Sequence, residues 1–140
     1  MRTYHTDELL FDVPDEWSDR SVNIFVSAPG DRVPFNVVVT RDQLGDAELR
    51  PFVLGKLKEI SKSVPKLNIL GQRERMVGPL SGLEARLQWP MQGGTMYQHQ
   101  VYVPYYGEVL IFTASSLVKL APQCDAYLEQ MLSGIKFRKQ

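Results

Sequence analysis

Apolar positions alternate with polar ones over most of this chain and shift to a helical period in two places. Across residues 4–13, Leu9, Phe11 and Val13 alternate with Leu10 and Asp12, which predicts a first strand. Pro14-Asp15-Glu16-Trp17-Ser18 breaks it. Residues 21–28 predict a second strand with Val22, Ile24 and Val26 on one face. Ala28-Pro29-Gly30-Asp31 predicts a turn, and residues 34–41, with Val37, Val38 and Val39, a third strand. Val53, Leu57, Ile60 and Val64 then recur at spacings of four, three and four, a helical stripe. Asp46 or a neighbour is placed to cap that helix, and Pro65 lies just past its end. Residues 67–76, 83–91, 95–103 and 108–115 predict four more strands, divided by Gly78-Pro79, Gly93-Gly94 and Tyr106-Gly107. In the second of these, Ala85, Leu87, Trp89 and Met91 oppose Glu84, Arg86 and Gln88. A closing helix carries Leu120, Cys124, Tyr127, Leu128, Met131 and Leu132 on its apolar stripe, with Pro122 in its first turn and Gly134 at its end. Ile135–Phe137 predicts a short final strand.

The order is three strands, a helix, four strands and a helix. Consecutive strands favour antiparallel pairing, so the expected fold class is α+β. The expectation is an antiparallel β-sheet of about six to seven strands flanked by two main helices. At 140 residues the chain suits a single domain spanning 1–140. Sixteen basic residues balance sixteen acidic ones, so the electrostatic footprint of a nucleic-acid binder is missing. The polar, acidic start predicts no signal peptide, and no apolar run is long enough to enter a membrane. With a single cysteine, Cys124, these features predict a cytoplasmic protein.

Known catalytic patterns are missing. His5 and His99 fall in predicted strands, and no Cys/His spacing suits a metal. There is no phosphate loop and no serine-nucleophile elbow. Cys124, on an apolar helical stripe, is expected to be inert core. Gln72-Arg73-Glu74-Arg75 alternates charge along a strand, as at an exposed edge. An enzyme would have only Tyr97, His99, Tyr102 and Tyr105 as raw material. The chain is therefore expected to need neither metal nor cofactor. In the sixth predicted strand, Met96, Gln98, Gln100 and Tyr102 share a face opposite Tyr97, His99, Val101 and Val103. That mixed face fits either a solvated surface or one wall of a binding surface.

The run Val13-Pro14-Asp15-Glu16-Trp17, then Asp19-Arg20-Ser21-Val22-Asn23-Ile24-Phe25, then Val37-Val38-Val39-Thr40-Arg41-Asp42, resembles the DcrB-like family. Within it the chain is most similar to the Eag chaperones of bacterial type VI secretion, and the resemblance runs over essentially the whole chain. It implies a PsbP-like fold and a non-enzymatic role. The implied role is cytoplasmic: binding and shielding the hydrophobic N-terminal region of a PAAR-containing effector and aiding its loading onto the secretion spike. A homodimer is implied, without direct membrane insertion.

The resemblance also implies a client groove. Val22, Ile24, Val38 and Val64 match its apolar positions, and Thr40 and Gln100 match positions that hydrogen-bond the client. Asn36, Gln98 and Tyr102 join them as neighbours on the same predicted faces. Lys56 stands where the family has glutamine. The alternation of Val22 and Ile24 suits an open groove or a helix-covered core. The alternative function is a non-catalytic regulatory module of the same fold with a soluble protein partner.

Overall fold

The computed structural model describes residues 1–27 and 35–138. Its elements are β1 (Arg2–His5), β2 (Leu10–Val13), β3 (Asn23–Val26), β4 (Asn36–Gln43), α1 (Leu49–Ser63), β5 (Asn68–Val77), β6 (Leu80–Met91), β7 (Gly94–Tyr105), β8 (Glu108–Leu117) and α2 (Ala121–Ser133). A 3-10 turn, Val118–Leu120, leads into α2. Six strands form one antiparallel sheet in the order β3-β4-β8-β7-β6-β5, and β1 and β2 form a separate hairpin. The α+β class and the antiparallel sheet with two helices follow the expectation.

Three local readings change. The first predicted strand is the β1–β2 hairpin, turned where Thr6 Oγ1 accepts hydrogen bonds from the Glu8 and Leu9 amides. A side-chain turn of this kind needs neither glycine nor proline, so the usual punctuation is missing. The first helix starts at Leu49, and its cap residue is Glu48, which makes no side-chain cap bond. Ile135 and Phe137 form no strand; both pack against the core beneath α2, and Phe137 stacks on Tyr105. The predicted turn at Ala28–Asp31 lies outside the described residues.

The helices lie on opposite faces of the sheet. Adjacent β7 residues divide between them: Val101 belongs to the core under α2, and Tyr102 to the core under α1. The α2 side packs Tyr97, Val103, Phe112 and Ala114 against Cys124, Leu128 and Leu132. The α1 side packs Leu83, Ala85, Leu87 and Val109 against Val53 and Leu57. One backbone approach is close enough to require glycine. A Cβ on Gly82 would lie 2.5 Å from the Tyr102 carbonyl oxygen, so any side chain there would displace the β6–β7 pairing.

Candidate functional site

The register places the expected site residues on the α1 face of the large sheet. One row across the strands runs Ile24, Val38, Thr113, Gln100, Ala85. The next runs Val26, Asn36, Ser115, Gln98, Leu87. Thr40 lies in a third row with Ile111, Tyr102 and Leu83. Six residues expected from β3, β4 and β7 (Ile24, Asn36, Val38, Thr40, Gln98 and Gln100) thus converge, with Tyr102 beside them.

Helix α1 packs on β6 and β7, towards one side of this face. The β3 side is open: Val22, Ile24 and Val26 are 56%, 63% and 73% exposed. Val22 and Ile24 are therefore not core within this chain. Val38, Asn36, Thr40 and Gln98 are half-buried. Gln100 and Tyr102 are buried, and Tyr102 meets the Phe52 ring of α1 edge-on. Val64 is half-buried at the C-terminal cap of α1 and is not part of the apolar cluster beneath that helix. No strand row includes it.

Polar groups on this face are linked along β7. The Tyr102 hydroxyl donates to Gln100 Oε1 at 2.6 Å, and Gln100 Nε2 donates to Gln98 Oε1 at 2.9 Å. Burial pushes the Tyr102 phenol up to about 12, so it remains a donor at neutral pH. Lys56 reaches from α1 to Asp42 of β4, with Nζ 2.8 Å from Oδ2, and its ammonium lies over the Phe52 ring. That hydrogen bond holds the Asp42 carboxyl below its ordinary value and the Lys56 ammonium above its own. Lys56 thus ties α1 to β4 at the Thr40–Asp42 end of the face.

Sequence reasoning missed Thr113 and Ser115 of β8, which lie between the β4 and β7 contributions to the first two rows. Strand β8 alternates Val109, Ile111, Thr113 and Ser115 against Leu110, Phe112 and Ala114. The small polar pair was visible, but only long-range register puts it in the middle of the face. The result is a surface with an apolar open edge and a floor of hydroxyl and carboxamide groups. It can bury apolar side chains at β3 and β4 and offer hydrogen bonds at its centre.

The other face holds a buried charge cluster. His99 is fully buried, with Nε2 hydrogen-bonded to Glu84 and Nδ1 2.8 Å from Asp125 Oδ1. The Tyr97 hydroxyl donates to the same Asp125 oxygen at 2.5 Å. Arg73 donates to Glu84, and Arg75 donates through two nitrogens to Glu129. Burial alone would raise the Glu84 carboxyl, but hydrogen bonds from Arg73 and His99 outweigh it and hold the group low. The Arg75 hydrogen bonds hold Glu129 low as well. Glu84, His99 and Glu129 bring potential ligand atoms within 4.8 Å of one another, but the arginines already hold both glutamates. The cluster instead fastens α2 to β5, β6 and β7. Tyr97 and His99 lie here, Tyr102 on the opposite face, and Tyr105 against Phe137, so the residues considered for an enzyme site do not converge. Among the described residues no helix is long and apolar enough to cross a membrane.

The family model described as DcrB matches residues 8–134. The chain is 27% identical over 137 residues to "Effector EagT6" of Pseudomonas aeruginosa strain PAO1, covering 96% of this chain and 95% of that protein. Its fold is similar to the crystal structure of PA94, a protein of unknown function from Pseudomonas aeruginosa. The TM-score is 0.85 at 23% identity, over 100% of this chain and 99% of that one. LpqN, involved in cell envelope biogenesis of Mycobacterium tuberculosis, is similar at a TM-score of 0.54 and 17% identity, over 81% of this chain and 82% of that one.

Proposed function

The chain belongs to the DcrB family, and from that premise we propose that it is a cytoplasmic, non-enzymatic chaperone of a type VI secretion effector. Its client is the hydrophobic N-terminal region of a PAAR-containing effector, shielded until the effector is loaded onto the secretion spike. The similarity to EagT6 over nearly the full length of both chains supports the effector-associated reading.

The observation that carries the proposal is the row that begins at exposed Ile24 and runs through half-buried Val38 and Thr113 to buried Gln100. A transmembrane helix satisfies its backbone internally but presents apolar side chains to water. Each Å² of that surface buried against Val22, Ile24 and Val38 contributes about 25 cal/mol. Thr40, Asn36, Gln98 and Gln100 serve the polar or backbone groups of a client helix where it is broken or glycine-rich. Tyr102, buried under α1, supports the floor of the groove.

The same region supports a homodimer. Leu10, Phe11, Trp17, Phe25 and Val26 are all exposed, and an isolated two-stranded hairpin such as β1–β2 is marginal in water. A second copy covering the hairpin and the β3 edge extends the groove across two chains. The test is co-expression with the effector's N-terminal fragment. A soluble complex that co-purifies supports the reading, and a fragment equally soluble without this chain refutes it.

A further inference from the structure

The opposite edge of the large sheet is β5, and two cavities flank it on opposite faces. On the α1 face, a trough of about 530 Å³ between helix and strand is lined by Pro51, Leu54, Gly55, Leu57, Lys58 and Ile69. On the α2 face, a cavity of about 390 Å³ is lined by Leu70, Arg73, Arg86, Tyr97, Pro122 and Asp125. Gln72 borders both. An edge strand turns alternate backbone N–H and C=O groups outward, and the side chains of a strand paired to it point alternately to the two faces. A strand added to β5 would therefore place successive side chains in the two cavities by turns.

We propose that β5 captures an extended segment of a partner protein by strand addition, and that this segment alternates apolar and acidic side chains. The apolar set enters the α1 trough, where Leu54 and Ile69 are exposed. The acidic set meets Arg73 and Arg86. Arg73 gives Nε to Glu84 but is 65% exposed along its side chain. The Arg86 guanidinium is ion-paired with Asp125 Oδ2 at 3.7 Å but makes no side-chain hydrogen bond among the described residues. The nearby carboxylates are already engaged: Glu84 by Arg73 and His99, Asp125 by Tyr97 and His99. The donors left over suit a carboxylate from outside.

Gly55 is the second observation. It lies inside α1, where glycine costs about 1 kcal/mol relative to alanine. A Cβ there would meet nothing within 4 Å, so the chain's own packing does not demand glycine. Close approach of the added strand's backbone would account for it. The strand itself is divided to match. Asn68–Gln72 carries no charge, and the bulge between Ile69 and Gly71 leaves Leu70 lining the α2-side cavity. Arg73, Glu74 and Arg75 then guard the remainder against indiscriminate pairing.

The probe is a fluorescein-labelled peptide of about nine residues alternating valine and aspartate, set beside its valine–lysine counterpart. Fluorescence polarisation should show the aspartate peptide binding and the lysine peptide binding at least about tenfold more weakly. Gly55→Leu puts a side chain into the trough from a position where its Cβ meets nothing within 4 Å, and Arg86→Gln removes a donor. Each should weaken binding about tenfold while the circular dichroism spectrum keeps its folded form. Hydrogen exchange should slow at the Asn68–Arg73 amides when the peptide binds. Ile24→Asp, across the sheet, should leave peptide binding unchanged, which separates this site from the chaperone groove. Equal binding of the two peptides, no binding of either, or full binding by both Gly55→Leu and Arg86→Gln would overturn the proposal. So would a wild-type chain whose β5 edge is covered by a second copy, seen in ultracentrifugation as a dimer that Gly55→Leu dissociates.

Discussion

The Tyr102 hydroxyl donates to Gln100 Oε1 at 2.6 Å, linking a ring buried under α1 to a carboxamide in the row of Ile24 and Val38. Both groups are buried. Tyr102→Phe leaves the Gln100 oxygen without this donor, at a cost of about 1–2 kcal/mol. Urea denaturation should show that loss. In a double-mutant cycle with Gln100→Leu, the paired variant should lose less than the sum of the single ones. Additive losses would mean that the bond contributes nothing.

The cluster around His99 makes the fold acid-sensitive. Glu84 and Glu129 titrate below their ordinary value of 4.5 in the folded chain. Groups depressed in this way contribute stability that is full above their unfolded value and is lost as pH falls through the folded one. The urea midpoint should therefore hold at neutral pH and decline as pH falls below about 4.5. Glu129→Gln should flatten that decline. Glu84→Leu leaves buried His99 without the hydrogen-bond partner of its Nε2 and should cost about 1–3 kcal/mol at neutral pH.

Cys124 is fully buried in the core under α2, and burial raises its thiol to about 11. Thiolate is therefore scarce at neutral pH and shielded from reagents. A disulfide reagent such as Ellman's should label the native chain only at the rate of opening, and promptly in denaturant. Prompt labelling of the native chain would contradict this.

Much of the sheet was legible from sequence because its strands alternate cleanly. Ala85, Leu87 and Trp89 point to α1, while Glu84 and Arg86 point to the other side, as their spacing required. Of the stripe predicted for α2, Cys124, Leu128 and Leu132 are buried, whereas Tyr127 and Met131 are exposed. What escaped depends on contacts distant in sequence. The apolar pattern of Ile135 and Phe137 marks burial correctly, but side-chain packing meets that need without a strand partner. Likewise, the exposure of Ile24 depends on where α1 lies across the sheet, which no local pattern states. Thr113 and Ser115 became part of the candidate site only through the β4–β8–β7 register. The sequence places His99 in a strand without metal-ligand spacing; its enclosure by Glu84, Asp125 and Tyr97 draws on three separate elements.

The central claim is that the open β3–β4 side of the α1 face holds an apolar helix. Ile24 is 63% exposed, so Ile24→Asp places a charge in the groove with little effect on the fold. The decisive measurement is co-purification of the effector's N-terminal segment with wild-type and Ile24→Asp chains, with circular dichroism on both. The wild-type chain should retain the segment and the folded variant should lose it. Equal retention by the two, or a captured partner with no apolar segment of about 20 residues, would contradict it.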